Sequence, residues 1–302
     1  MSDGERCRCW RRRAVETTDD SSWRMTITEE ALQGKGEGKS KGREKIFTNI
    51  SPVYDVLNDA LSLGLHRLWK RRVVSLTECK RGDKALDVCC GSGDLAFLLA
   101  KKVGASGEVS ALDFSANMLS YALQRSVAKS LFQYTYFDEK PRDDGGGDEG
   151  GSGTIRWIHG DALDLPFEDC SFDCVTIGYG LRNVEDRAKC LREVHRVLKP
   201  NKRAVILDFN SPKEEGPPAA RGNTRRRAGI INRFRNFCLD AFVVPAATLC
   251  GLREEYAYLK PSIADYPDGS TLVTLSMEDA RFTQAEFQEI AGGLMGALVL
   301  RK

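Results

Sequence analysis

The sequence predicts an α/β fold: a doubly wound, Rossmann-like, seven-stranded sheet, parallel apart from a C-terminal antiparallel hairpin. Three observations carry that prediction. A short apolar run at 85–90 passes through Gly91 and Gly93 into helical apolar spacing at Leu95, Ala96, Leu98 and Leu99. Strand-like runs then alternate with helical periods as far as Phe209, the pattern of βα units. The end of the chain, Phe282 to Leu300, reads as two strands joined near Gly292 and Gly293.

The run Ala85-Leu86-Asp87-Val88-Cys89-Cys90 suits a parallel strand covered on both faces, which needs little alternation. Gly91 and Gly93 let the backbone turn with positive φ and approach a ligand closely. Strand, glycine turn and helix start make a cofactor seat at the carboxyl edge of a parallel sheet. Two cofactors fit these residues. Gly91-Ser92-Gly93-Asp94-Leu95-Ala96 satisfies G-x-G-x-x-A, and Asp113 follows Gly93 by 20 positions, as in a nicotinamide dinucleotide seat. The same parts build the S-adenosylmethionine seat of class I methyltransferases. Asp87 leans toward the methyl donor, because its carboxylate suits either ordering the loop or meeting the amino group of a methionine moiety. The closing hairpin leans the same way, since an NAD-binding domain usually ends on a sixth parallel strand.

Composition sets the frame. The chain has 302 residues, 41% hydrophobic and 29% charged, enough to bury the core of a globular enzyme. A net charge of +2 argues against broad nucleic-acid binding. The ten cysteines sit at irregular spacings without paired zinc-ligand motifs, so free thiols in a reducing compartment are expected, and no metal. No run of 18 apolar residues spans a membrane.

In chain order, residues 1–45 carry many Arg, Lys, Gly and Ser and no apolar period, and are read as a disordered leader. Its arginines fit an organelle address; its acids do not. The folded domain runs from 46 to 302. Ser51-Pro52 suits a helix start, and the following stretch, Tyr54 to Trp69, holds Tyr, His, Trp and two acids where a core helix needs only aliphatics. Gly107 to Asp113 is a second strand, and Ser115 caps a helix to about Ala128. Residues 138–154 are low-complexity and read as a flexible insertion. Ile155 to His159 and Phe172 to Gly178 are further strands. Asn183 is expected to cap a helix that Pro200 ends, and Arg203 to Phe209 is the fifth strand. Ala228 to Leu252 is a mixed apolar stretch, and Gly251 to Tyr256 begins a further helix.

Together these segments resemble the ubiquinone/menaquinone biosynthesis C-methyltransferase family. Tyr54 to Trp69 matches its Y-D-x-M-N-x-x-apolar-S-x-x-x-H-x-x-W signature with Leu57 in place of Met, and Gly180-Leu181-Arg182-Asn183 matches its G-[LI]-R-N element. Arg196-Val197-Leu198-Lys199-Pro200 opens the second signature, but Asn201-Lys202 replaces Gly-Gly and Asp208-Phe209-Asn210 replaces Glu-x-Ser. Those departures resemble the family's phylloquinone branch. The resemblance implies methyl transfer from S-adenosylmethionine to a ring carbon of a prenylated naphthoquinol, in a chloroplast, with ubiquinone or menaquinone synthesis as the alternative reaction and a mitochondrion as the alternative place. Other readings are a nicotinamide-dependent oxidoreductase, a nucleic-acid methyltransferase and a silent scaffold. The Gly-Tyr-Gly-Leu-Arg-Asn loop speaks against the second, because amino-group methylation typically uses an N/D-P-P-aromatic loop there.

By this resemblance Ser92, Asp113, Asp161, Ala162 and Gly178 join Asp87, Gly91 and Gly93 around the cofactor. Asp113 is expected to accept from ribose hydroxyls, Asp161 to meet the adenine amino group, and Phe114 to cover an adenine face. Each acid has a loop-ordering alternative, and Gly178 a steric one. Arg182, Asn183, Tyr54 and His66 are expected on the acceptor side. Arg182 keeps its proton and would stabilise a phenolate or hold a water. Asn183 would orient a ring oxygen, Tyr54 or His66 pass a proton, and Asp208 is a further candidate base. Apolar positions between Ile230 and Val244 are candidates for a prenyl groove, and the basic run 221–227 for peripheral membrane contact.

Overall fold

The computed structural model describes residues 15–16, 25–27, 64–135, 152–210 and 259–302, with isolated positions between 233 and 248. In chain order the main elements are β1 (Val15–Glu16), β2 (Met25–Ile27), α1 (Leu65–Leu76), β3 (Lys84–Val88), α2 (Asp94–Val103), β4 (Glu108–Asp113) and α3 (Ala116–Thr135). There follow β5 (Thr154–His159), β6 (Phe172–Gly178), α4 (Arg187–Val197), β7 (Leu198–Phe209), α5 (Leu259–Ala264), α6 (Gly269–Thr274), β8 (Gln284–Ile290) and β9 (Met295–Arg301). One sheet takes them in the order β1-β2-β5-β4-β3-β6-β7-β9-β8. Strands β3 to β7 are parallel, and β9 enters antiparallel between β7 and β8.

The expected seven strands are therefore β3 to β9. Two short strands from the leader extend the β5 edge, where β2 adds parallel to β5 and β1 antiparallel to β2. An open strand edge offers unpaired N–H and C=O groups, and even a short extended segment can use them.

Alternation sorts the strand residues between two cores. In β7, Val205 and Leu207 face one side, with α1, α2 and α3, whereas Ala204 and Ile206 face the other, with α4 and α6. Helix α1 runs against the strand direction. Its Leu76 carbonyl accepts from Arg203 near the start of the β6–β7 pairing, and Lys70 reaches Asp94 at the carboxyl edge. His66, one turn before Lys70, thus lies over that edge.

Several local expectations change. Asn183 belongs to a 3₁₀ turn, Leu181–Asn183, and does not cap α4. The cap is Asp186, whose carboxylate accepts from the Lys189 N–H at 2.8 Å, since only an extended residue immediately ahead of the first turn can reach it. Pro200 does not stop the helix, which ends at Val197 and passes directly into β7. The proline falls where the β6–β7 register shifts, a place in a strand that tolerates a missing N–H. Ser115 caps as expected, its Oγ accepting from Met118 N–H, but α3 continues to Thr135. The insertion ends earlier than expected. Gly153 donates to the Ala100 carbonyl at 2.8 Å and Thr154 opens β5, which leaves no space for a side chain at 153. Residues 138–151, Tyr54, the stretch 221–227 and the 251–256 helix lie outside the described residues.

Candidate active site

Two loops meet at the carboxyl edge. One leaves β3 at residues 89–93 and the other leaves β6 at 179–183, and β3 and β6 are hydrogen-bonded neighbours. A Cβ on Gly180 would stand 2.4 Å from the Cys89 Cβ, so only glycine lets them touch.

The first loop is wound tightly. Cys89, Gly91 and Gly93 all have positive φ, at 56°, 53° and 85°. A side chain on Gly93 would also lie 2.5 Å from the Trp157 ring. The turn is tied down by Asp113 at the end of β4. One carboxylate oxygen accepts from Gly91 N–H at 2.7 Å and the other from Ser115 N–H at 2.9 Å. Burial pushes the Asp113 carboxyl up, and the Ser115 and Gly91 donors restrain the rise. The loop-ordering role is therefore realised, and a carboxylate with four acceptor positions keeps capacity beyond these backbone donors.

Asp87 sits in the middle of this floor, 1% exposed. Thr176 Oγ donates to its Oδ1 at 2.7 Å, while Oδ2 is buried without a hydrogen-bond partner. Burial pushes the carboxyl up to about 7 against the help of the Thr176 hydroxyl. A buried oxygen left unmatched is costly to a fold and suits a ligand ammonium. Burial also pushes the Cys89 and Cys90 thiols well up, which disfavours the thiolate.

Ser92 is buried beside the turn, and its carbonyl accepts from Arg125 at 2.6 Å. Asp161 is exposed and accepts from Leu163 N–H, with Ala162 buried behind it. Phe114 is half-buried and its carbonyl lies 2.8 Å from His159 Nε2. Gly178 has a steric reason to be glycine, because a Cβ would stand 2.7 Å from Leu95.

The second loop carries the cation. Arg182 is 9% exposed; its Nη1 donates to the Tyr179 carbonyl at 2.6 Å and to Asp208 Oδ1 at 2.9 Å. Asp208 also accepts the backbone N–H groups of Arg182 and Phe209. A carboxylate with three donors orients the arginine and is not a free base, which corrects the expectation for Asp208. Asn183 reaches the Tyr179 carbonyl only at 3.5 Å. His66 is buried on the α1 face shared with Lys70, Val73 and Val74.

Sequence reasoning missed several participants. Tyr266, from the segment after α5, is 2% exposed near Asp208, with Arg187 stacked on its ring at 5.6 Å. Burial, then Asp208, pushes its phenol well above the ordinary value, so it stays protonated. Lys70, buried, and Asp94 and Arg125, half-buried, form a charge cluster. Although burial opposes ionisation, the two cations hold Asp94 well below the usual carboxylate range. The i, i+4 spacing of His66 and Lys70 could have shown one face, but partners 24 and 31 positions apart leave no local pattern.

The family model described as the ubiE/COQ5 methyltransferase family matches residues 35–220 and 230–300. A chloroplastic 2-phytyl-1,4-beta-naphthoquinone methyltransferase of Arabidopsis thaliana is 46% identical over 260 residues, covering 86% of this chain and 87% of that one. The 2-phytyl-1,4-naphtoquinone methyltransferase of Nostoc is 44% identical over 257 residues, covering 85% and 97%. Among solved structures, the cyclase SpnF is similar with a TM-score of 0.50 at 15% identity, covering 89% of this chain and 98% of that one, a likeness of fold.

Proposed function

The chain belongs to the ubiE/COQ5 methyltransferase family, and on that footing we propose that it methylates 2-phytyl-1,4-naphthoquinol to phylloquinol with S-adenosylmethionine. One observation carries the choice of substrate: relatives named for that reaction are 40–46% identical over most of both chains. The Arabidopsis relative is chloroplastic, which supports the same organelle here.

The site fits the methyl donor. The unmatched Asp87 oxygen, the Gly91–Gly93 turn and the Asp113 carboxylate offer an ammonium acceptor, a close backbone approach and a diol acceptor at one edge. When bound, the cofactor supplies an electrophilic methyl, so the chain's residues have to align the ring carbon and raise its electron density. Arg182 serves the second by favouring the quinolate: a fixed, buried cation stabilises the charge left on the quinol oxygen when its proton departs, and that anion donates into the ring. Asp208 and the Tyr179 carbonyl hold the cation there in advance, so little reorganisation is needed during reaction. Asn183 orients the ring oxygen, His66 or Tyr54 passes the hydroxyl proton outward, and the proton of the methylated ring carbon leaves afterwards to water as the ring regains its aromaticity. A phytyl-length tail brings the substrate from a bilayer, and the exposed Leu65 and Leu68 on α1 support contact with its surface.

The test is methyl transfer from labelled S-adenosylmethionine to reduced demethylphylloquinone, beside a demethoxylated benzoquinol. Label in the naphthoquinol alone is expected. Label in the benzoquinol alone would move the enzyme to ubiquinone synthesis.

A further inference from the structure

Lys70 reaches the first residue of α2, directly after one loop of the site, and a tyrosine in the other. It is 8% exposed, and lysine is almost never that buried unless paired. Its Nζ lies 2.6 Å from Asp94 Oδ2 and 5.7 Å from the centre of the Tyr179 ring.

Each contact leads to a different part of the chemistry. Asp94 is the first residue of α2, directly after the glycine turn, and its other oxygen accepts from Arg125 at 2.8 Å. Arg125 also holds the Ser92 carbonyl inside that turn. Tyr179 has φ of 59°, a left-handed conformation that a tyrosine keeps only where its surroundings enforce it. That conformation presents its carbonyl to Arg182 at 2.6 Å, while its ring rests 5.9 Å from Phe209. Packing alone does not require a charge here, since Val73 and Val74 already anchor α1 to the core.

We propose that Lys70 is a positioning residue that holds the cofactor turn and the acceptor arginine in register. The proposal rests on the methyl-transfer reading above. Donor and acceptor are carried by separate loops, and a displacement of about 1 Å between reacting atoms can cost about 100-fold in rate. Lys70 ties one loop through Asp94 and steadies the other through the Tyr179 ring, so its loss shifts the two relative to each other.

The experiment compares Lys70→Met and Lys70→Arg with the wild type in the full chain. It measures single-turnover methyl transfer to reduced demethylphylloquinone, S-adenosylmethionine affinity by calorimetry, and Tm. Lys70→Met is expected to slow transfer about 10- to 100-fold and to weaken cofactor affinity by a smaller factor, with Tm close to wild type. Lys70→Arg is expected to recover most of the rate. Transfer by Lys70→Met at near wild-type rate would overturn the proposal. So would a slow rate in both variants that simply follows a fall in Tm. If the wild type binds cofactor but never methylates the quinol, the substrate reading fails instead. The calorimetric arm then decides for Lys70, with unchanged affinity in Lys70→Met counting against it.

Discussion

Arg182 and Asp208 are joined twice. The carboxylate takes the guanidinium Nη1 on Oδ1 at 2.9 Å and the backbone N–H of the same arginine on Oδ2 at 3.2 Å. The two side chains are 8% and 2% exposed, so the pair is fixed away from water. One acid thereby sets both where this residue begins and where its charge ends.

Breaking that pair from either side is expected to give different failures. Asp208→Ala strands a buried cation and should cost about 3–5 kcal/mol in urea unfolding. Arg182→Lys keeps the charge but cannot span Asp208 and the Tyr179 carbonyl with a planar fork, so transfer should fall about 100- to 1,000-fold with cofactor affinity retained. Wild-type turnover by Arg182→Lys would refute the role given to the guanidinium.

Asp87 predicts a pH signature. Its carboxyl titrates near 7 in the fold against 3.8 ordinarily. Between about pH 4 and 7 the unfolded chain has lost that proton and the native one keeps it. Stability therefore declines as pH rises through this window, by up to about 4 kcal/mol from this one group. Asp87→Asn should remove that part of the slope in denaturation curves from pH 4 to 8. Cofactor affinity should also rise with pH through 7 in the wild type and not in Asp87→Asn. Parallel profiles for the two proteins would defeat the assignment.

Alanine at the two turn glycines is expected to separate strain from collision. At Gly91 the new methyl meets only Met118, at 3.5 Å, so the cost is the left-handed backbone, about 1–2 kcal/mol. At Gly93 the same strain is joined by a 2.5 Å encounter with Trp157. Cofactor titrations should show a modest loss for Gly91→Ala and near abolition for Gly93→Ala. Equal losses would mean that the Trp157 wall yields.

The helix cap gives a direct check on the local structure. Asp186→Ala should destabilise the protein by about 1 kcal/mol, whereas Asn183→Ala should slow transfer with little change in Tm. The reverse pattern would restore Asn183 as the cap.

The sequence carried the fold well because its signals are local and repeated. Gly91 and Gly93 between a strand and an apolar helix, and the hairpin around Gly292–Gly293, each report on their own few residues. The turn of the candidate site was legible for the same reason, since Asp87, Gly91 and Gly93 fall within seven positions. The second loop of the candidate site was marked only by the motif around Arg182. What Arg182 leans on was not, because Asp208 lies 26 positions away and Tyr266 arrives from beyond α5. Lys70 was missed because a lysine on a surface helix usually faces water, and burial is a property of what covers it. The cap was misplaced because Asn183 and Asp186 are both good capping residues, and only the 3₁₀ turn at Leu181–Asn183 decides between them.

Strand β9 lies inside the sheet, yet it is made from residues 295–301. On a ribosome, β3, β4 and β5 can pair and close the glycine turn long before β9 exists. Until it emerges, β7 presents an open edge, and Asp208 and Phe209 lack the Gly296 and Met295 neighbours that pair with them. The Gly91–Gly93 turn can therefore be assembled early, whereas the surroundings of the Arg182–Asp208 pair wait for β9 to slide into place. A nascent chain would close the glycine turn before it finished the ground on which Arg182 stands.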